Sequence, residues 1–236
     1  MNSDLYIRSL SIKKPKSNEY PFNLPLFQQL ESLEFRSKVA FLVGENGTGK
    51  STLLEAIAVN YGFNAEGGSK NFRFSTYDSH SDLYQYLTLV KGSKRPRDGY
   101  FLRAESFYNL ATEVEKLDVP GYGAGSLHAQ SHGESFLALI CNRFFGNGLY
   151  ILDEPEAALS PSRQLSLLAR MNDLVCENSQ FIIATHSPIL LAFPGASIFV
   201  LGENAITLTP YEQTEHYILT KQFLNNTGKF LKELLD

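Results

Sequence analysis

The chain has 236 residues, 43% of them hydrophobic and 19% charged, which suits one large globular domain or two small ones and is too apolar for a disordered segment. Its formal net charge of −4 gives no general attraction to nucleic acid or anionic lipid. Two cysteines, Cys141 and Cys176, are too few for a disulfide scaffold or a cysteine-rich zinc site and suit a reducing cytoplasm.

The start, MNSDLYIRSL, has no basic segment followed by an apolar one, so no signal peptide is expected. Residues 5–12 alternate apolar and polar with slips and predict a strand, followed by a loop over 15–25. The run VAFLV at 39–43 is short, continuous and apolar, as a strand buried on both faces of a parallel sheet would be. Helical spacing follows over 50–60, with Leu53, Leu54, Ile57 and Ala58 on one face.

Between 61 and 130 the texture changes: glycines at 62, 67 and 68 open a loop, strands are expected over 71–76 and 100–103, and helices over 82–90 and 107–117. This stretch reads as a smaller inserted lobe. Alternation then resumes, with a helix over 131–145, a strand over 149–152, a helix begun by Ser160 and Pro161, strands over 181–184 and 198–201, and a helical tail over 212–235 broken near 225–228. Residues 178–202 carry no Asp, Glu, Lys or Arg, but Pro188, Pro194, Gly195 and His186 disqualify them as a membrane span. The expected fold is α/β, a mainly parallel sheet with flanking helices. It forms a single domain, with 1–60 and 131–236 as the main lobe and 61–130 as the smaller one.

Two motifs carry chemistry. GENGTGKS at 44–51 fits G-x-x-x-x-G-K-[ST] and sits between a buried strand and a helix, where a phosphate cradle belongs. Backbone N–H groups of Gly44, Glu45, Asn46, Gly47, Thr48 and Gly49, with the helix N-terminus, would face nucleotide phosphates; Thr52 follows in the same turn. Lys50 would meet the β- and γ-oxygens, and the Ser51 hydroxyl would bind Mg²⁺. The second motif, LYILDE at 149–154, delivers two carboxylates to the end of a buried strand. Asp153 would hold Mg²⁺, and Glu154 could take a proton from an attacking water. The basic run Lys91, Lys94, Arg95, Arg97 reads first as a solvated loop, with contact to nucleic acid or an acidic partner as its alternative. The five histidines show no metal-ligand spacing.

Further segments add up to a family likeness. Ser131-His132-Gly133-Glu134-Ser135 precedes the acidic strand, Ala157-Ala158-Leu159-Ser160 follows it, Ala184-Thr185-His186-Ser187 ends the next strand, and Glu105 follows the 100–103 strand. In this order they resemble the signature, D-loop, switch histidine and Q-loop of the ABC-type ATPase superfamily, over nearly the whole chain. GENGTGKST, LDEPEAALSP and ATHSP are most similar to stand-alone soluble ATPases related to RecF and SMC proteins, though no coiled-coil arm is present.

The resemblance implies a Mg²⁺-dependent, cytoplasmic ATPase whose two copies sandwich ATP. Ser131, Gly133 and Glu134 would then face the partner's γ-phosphate, and His186, Glu154 and Lys50 would serve catalysis. It also implies an unidentified macromolecular partner. The rival readings are a transporter's ATP-binding subunit, which needs a membrane partner, and an ATP-gated DNA-maintenance or defence clamp with little turnover. Departures from the family pattern are His132 and Glu134 in the signature, Ser160 for the D-loop Asp, and Glu105 for the Q-loop glutamine, which reads either as an extra metal ligand or as a residue that only fills the slot. Tyr20, Phe22 and Phe27 are candidates for stacking on adenine, each also readable as a packing residue. Ser131 followed by Glu134 also reads as a helix capping box.

Overall fold

In a computed structural model, which describes residues 4–15, 19–69, 81–104, 107, 132–202 and 205–235, the chain opens with β1 (Ile7–Ile12), α1 (Pro25–Gln29) and β2 (Ser32–Glu34). β3 (Val39–Val43), α2 (Lys50–Tyr61), β4 (Gly68–Ser69), α3 (Leu83–Tyr86), β5 (Leu87–Lys91) and β6 (Asp98–Arg103) follow. The second half holds α4 (His132–Arg143), β7 (Gly148–Asp153), α5 (Pro161–Cys176), β8 (Gln180–Ala184), α6 (Pro188–Leu191), β9 (Ser197–Leu201) and β10 (Ile206–Leu208). It ends in α7 (Glu215–Asn225) and α8 (Thr227–Leu235).

Seven strands form one sheet in the order β10-β9-β3-β8-β7-β6-β4. The inner five are parallel, and β10 and β4 close the edges antiparallel. Every residue of β3, β7 and β8 is buried, as their unbroken apolar runs require. The strands still sort their side chains by the two-residue period. Ala40, Leu42, Ile151 and Ile182 join Leu53, Leu54 and Ile57 of α2 in one core layer. Phe41, Tyr150, Leu152 and Ile183 join Leu139 and Ile140 of α4 and Leu167 and Met171 of α5 in the other. Full burial of one such Leu or Ile contributes roughly 1.5–3 kcal/mol.

A second, antiparallel sheet, β2-β1-β5, lies in the same layer as α2. One buried side chain ties it to the main sheet: Gln180 Oε1 accepts from the N–H groups of Tyr6 and Ile7 (2.8 and 2.9 Å), and its Nε2 donates to the Ile7 carbonyl (2.9 Å). Main chain thus supplies three hydrogen bonds to this buried amide, which offset most of the cost of its burial.

Within 61–130, Gly68–Ser69 and Asp98–Arg103 are strands of the main sheet, and Leu87–Lys91 belongs to the small one. The helix expected over 82–90 stops at Tyr86, because the apolar, β-branched run that follows pairs along β1, with Leu89 opposite Leu10. The strand expected over 71–76 and nearly all of the helix over 107–117 lie outside the described residues. At α5, Ser160 and Pro161 occupy the N-cap and first-turn positions as expected, but the Ser160 hydroxyl makes no cap hydrogen bond; its Oγ lies 3.2 Å from Ser162 Oγ. Among the described residues no helix is long and apolar enough to cross a membrane.

Candidate functional site

Strand order brings the motifs together. β3, β8 and β7 are neighbours, and Leu42, Ala184 and Asp153 sit side by side in register. The loops leaving their C-terminal ends therefore open on one sheet edge, which is where parallel α/β sheets hold ligands.

After β3, the loop 44–49 curls tightly into α2. Gly47 and Gly49 have φ of +79° and +102°, a left-handed region that glycine alone enters cheaply. A Cβ on Gly49 would also lie 2.9 Å from the buried Phe27 ring. Gly49→Ala is expected to destabilise by about 1–3 kcal/mol, lowering the melting temperature by roughly 2–4 °C per kcal/mol in a chain of this size; calorimetry checks this.

Lys50 is only 4% exposed. Its Nζ folds back over the loop and donates to the carbonyls of Gly44 (2.7 Å) and Glu45 (2.8 Å). Burial holds its pKa below the ordinary lysine value, against the pull of Glu154, Asp153 and Glu156.

Across the edge, Ser51 Oγ donates to Asp153 Oδ1 at 3.0 Å. The helix hydroxyl and the strand-end carboxylate thus meet, a hard-oxygen pair suited to Mg²⁺ shared with phosphates. Among the described residues there is no group of three or more His, Cys, Asp or Glu that could hold a metal ion. Arg103 at the end of β6 balances the carboxylates. Its Nη1 donates to Glu55 Oε2 (3.0 Å), and its Nε stands 3.6 Å from Asp153 Oδ2.

Glu154 takes φ of +48° and its N–H donates to the Ala184 carbonyl (3.0 Å), which turns the chain out of β7. Its side chain remains 40% exposed, with Oε1 3.8 Å from His186 Nε2, beyond hydrogen-bond range. Glu156 accepts from the backbone N–H of His186, and burial raises its pKa above the ordinary glutamate value despite that bond. Ser187 caps α6, accepting from the N–H groups of Ile189 (3.1 Å) and Leu190 (3.2 Å).

His186 meets a second imidazole. Its Nδ1 lies 3.2 Å from Nε2 of His216, carried in from the first turn of α7. Burial lowers both pKa values, helped by Lys50 at His186 and by His186 at His216; the carboxylates of Glu154 and Glu215 oppose this at the two rings respectively. A cavity of about 520 Å³ opens beside the pair, lined by Gly44, Glu45, Thr48, Gly202, Thr214 and Leu219 among others.

Other expected residues are placed differently. Ser131 and Glu105 lie outside the described residues. Gly133 lets α4 approach the 155–158 turn, since a Cβ there would meet the Ala158 carbonyl at 2.7 Å. Glu134 accepts from Arg163 (2.9 Å). Phe22 and Phe27 are core residues, whereas Tyr20 is 63% exposed with its hydroxyl 3.1 Å from Thr52 Oγ1. In the basic run, Lys94 pairs with Asp4 (2.7 Å) and Lys91 lies over the Tyr61 ring.

Known proteins resemble this chain in sequence and in fold. An AAA domain model matches residues 22–109, and a second, described as "AAA domain, putative AbiEii toxin, Type IV TA system", matches 122–192. These intervals contain the phosphate loop and the acidic strand end. An uncharacterized ABC transporter ATP-binding protein of Haemophilus influenzae is 26% identical over 197 residues, covering 75% of each chain. These matches support a P-loop ATPase of the ABC type. The thiamine import ATP-binding protein ThiQ of Cereibacter sphaeroides is 29% identical over 166 residues, 62% of this chain and 70% of ThiQ. In fold, this chain is similar to CbiO1 of Clostridium perfringens, part of the transporter complex cbiONQ, with a TM-score of 0.56 at 16% identity over 97% of this chain and 99% of that one.

Sequence reasoning missed three residues of this candidate site. Arg103 and Glu156 flank recognised motifs, so proximity in sequence was their available signal. His216 has none, because only the return of the tail brings it here.

Proposed function

We propose that the chain binds MgATP on the 44–51 loop and hydrolyses it as a head-to-tail dimer. The observation that carries this reading is the alignment of Lys50, Ser51, Asp153, Glu154 and His186 on one edge of three adjacent parallel strands. Ser51 and Asp153, together with the phosphates, would hold magnesium, which would supply positive charge against the phosphate oxygens. The loop N–H groups orient the phosphate chain, and Lys50 exchanges its two carbonyl contacts for phosphate oxygens. Glu154, partly exposed and free of short hydrogen bonds to His186, takes the proton of the attacking water. Tyr20 offers the adenine a ring beside Thr52. Ser131 and Gly133 of the second copy complete the pocket in the dimer, and Glu105 adds a ligand near the metal.

The reading follows the soluble RecF- and SMC-related branch, with the dimer acting on a macromolecular partner in the cytoplasm. The relatives named as ABC transporter ATP-binding proteins support a second reading, a subunit that energises a membrane partner. Phosphate release and sedimentation velocity test both. The first reading expects Mg²⁺-dependent turnover by the isolated chain and a monomer-to-dimer shift with a non-hydrolysable ATP analogue. A chain that stays monomeric and turns over ATP only when joined to a multi-span partner supports the second.

A further inference from the structure

We propose that His216 is a positioning residue for His186: its Nε2–H donates to His186 Nδ1 and so holds the His186 proton on Nε2, facing Glu154 and the terminal phosphate.

The two segments that carry these rings are fastened to each other independently of the rings. Tyr211 Oη donates to the Pro188 carbonyl at 2.8 Å, tying the turn before α7 to the helix that follows His186. Thr214, 1% exposed, donates from Oγ1 to the Tyr211 carbonyl (2.7 Å) and caps α7 by accepting from the Tyr217 N–H (3.3 Å). His216 is thus delivered to a fixed place, with the ring centroids 5.4 Å apart and the planes inclined by 45°. Burial keeps both imidazoles on the neutral side, and a neutral ring has a single N–H, so one ring must donate and the other accept.

Electrostatics chooses the direction. His186 Nε2 is buried with no hydrogen-bond partner among the described residues, and it stands 3.8 Å from Glu154 Oε1. A proton on Nε2 turns a positive edge toward that carboxylate, whereas a lone pair there would face like charge. Nδ1 of His186 is then the acceptor, and the neighbouring His216 Nε2 must carry the hydrogen. An orienting partner of this kind fixes the tautomer and the ring angle without touching the reacting atoms. The kinetic consequence rests on the ATPase reading above; the tautomer does not.

The test uses the full chain, ¹⁵N-labelled and free of nucleotide, with long-range ¹H–¹⁵N correlation at pH 8 reporting the imidazole tautomers and His186→Gln assigning the signal. The wild type should show His186 protonated at Nε2. His216→Gln, whose Nε2 can still donate, should keep that state, and His216→Leu should lose its exclusivity. In phosphate release, His216→Leu should lower kcat roughly tenfold or more with KM within about twofold, and His216→Gln should recover most of the loss. A wild-type His186 protonated at Nδ1 overturns the proposal, as does a His216→Leu protein with unchanged tautomer or unchanged kcat. Should His216→Leu fail to fold, the wild-type tautomer and the glutamine variant decide. If the wild type hydrolyses no ATP, the ATPase reading fails and the spectrum alone judges His216.

Discussion

Glu154→Gln protein should bind MgATP as the parent does yet release phosphate about 10²–10⁴-fold more slowly, the range that a positioned general base supplies. The substitution is nearly isosteric. It preserves the N–H bond to the Ala184 carbonyl that turns the chain, and the side chain is 40% exposed, so little folding energy is at stake. What disappears is the capacity to accept a proton. Because the sandwich is held by intact nucleotide, the variant should accumulate as an ATP-bound dimer, seen as a persistent faster-sedimenting species that the parent forms only transiently. Turnover within tenfold of the parent would remove Glu154 from the role of base.

Lys50→Ala should abolish the stabilisation that MgATP gives. With ATP at about a hundred times its dissociation constant, a binding-competent protein gains roughly 2.7 kcal/mol, or a melting shift of roughly 5–10 °C at this chain length. The variant should show almost none of it. Its nucleotide-free melting temperature should stay within about 5 °C of the parent's, for a reason visible in the structure. The folded state depresses the Lys50 pKa through burial, so at neutral pH, below the ordinary lysine value, holding its charge costs stability rather than adding to it. Loss of that cost offsets the two carbonyls, Gly44 and Glu45, left without their donor. An unchanged ATP-induced shift in differential scanning fluorimetry would contradict the assignment of the loop.

The parallel core was legible because each inner strand writes its own signature. VAFLV, LYIL and FIIA are apolar without interruption, and each runs directly into a segment with evident chemistry: the 44–51 loop, Asp153-Glu154 and Thr185-His186. The phosphate loop and the acid pair were legible for the same reason: main-chain geometry and site chemistry sit in one contiguous segment. The small sheet was not, because Ser32–Glu34 and Leu87–Lys91 become strands only by pairing with β1 from distant parts of the chain. Leu87 to Val90 can satisfy a helix or a strand pattern, and the partner decides. The strand over 100–103 was legible, but its place beside β7 was not, since that depends on a registry of Arg103 with Asp153 that no local pattern contains. His216 belongs to this class: a polar residue in a tail whose neighbours are set by the return of the chain.

The Gln180 amide has a consequence for how the molecule can come apart. It joins residues 6 and 7 to the first position of β8, so the opening strand and the strand that leads to His186 share one set of polar contacts. Clipping the chain after residue 7 would strand a carboxamide in hydrocarbon at the far side of the sequence. Damage there would be felt as loosening around position 186, although no cleaved residue comes from the edge that carries Lys50, Asp153 and His186. Protease sensitivity at the front of the chain and loss of nucleotide binding should therefore travel together.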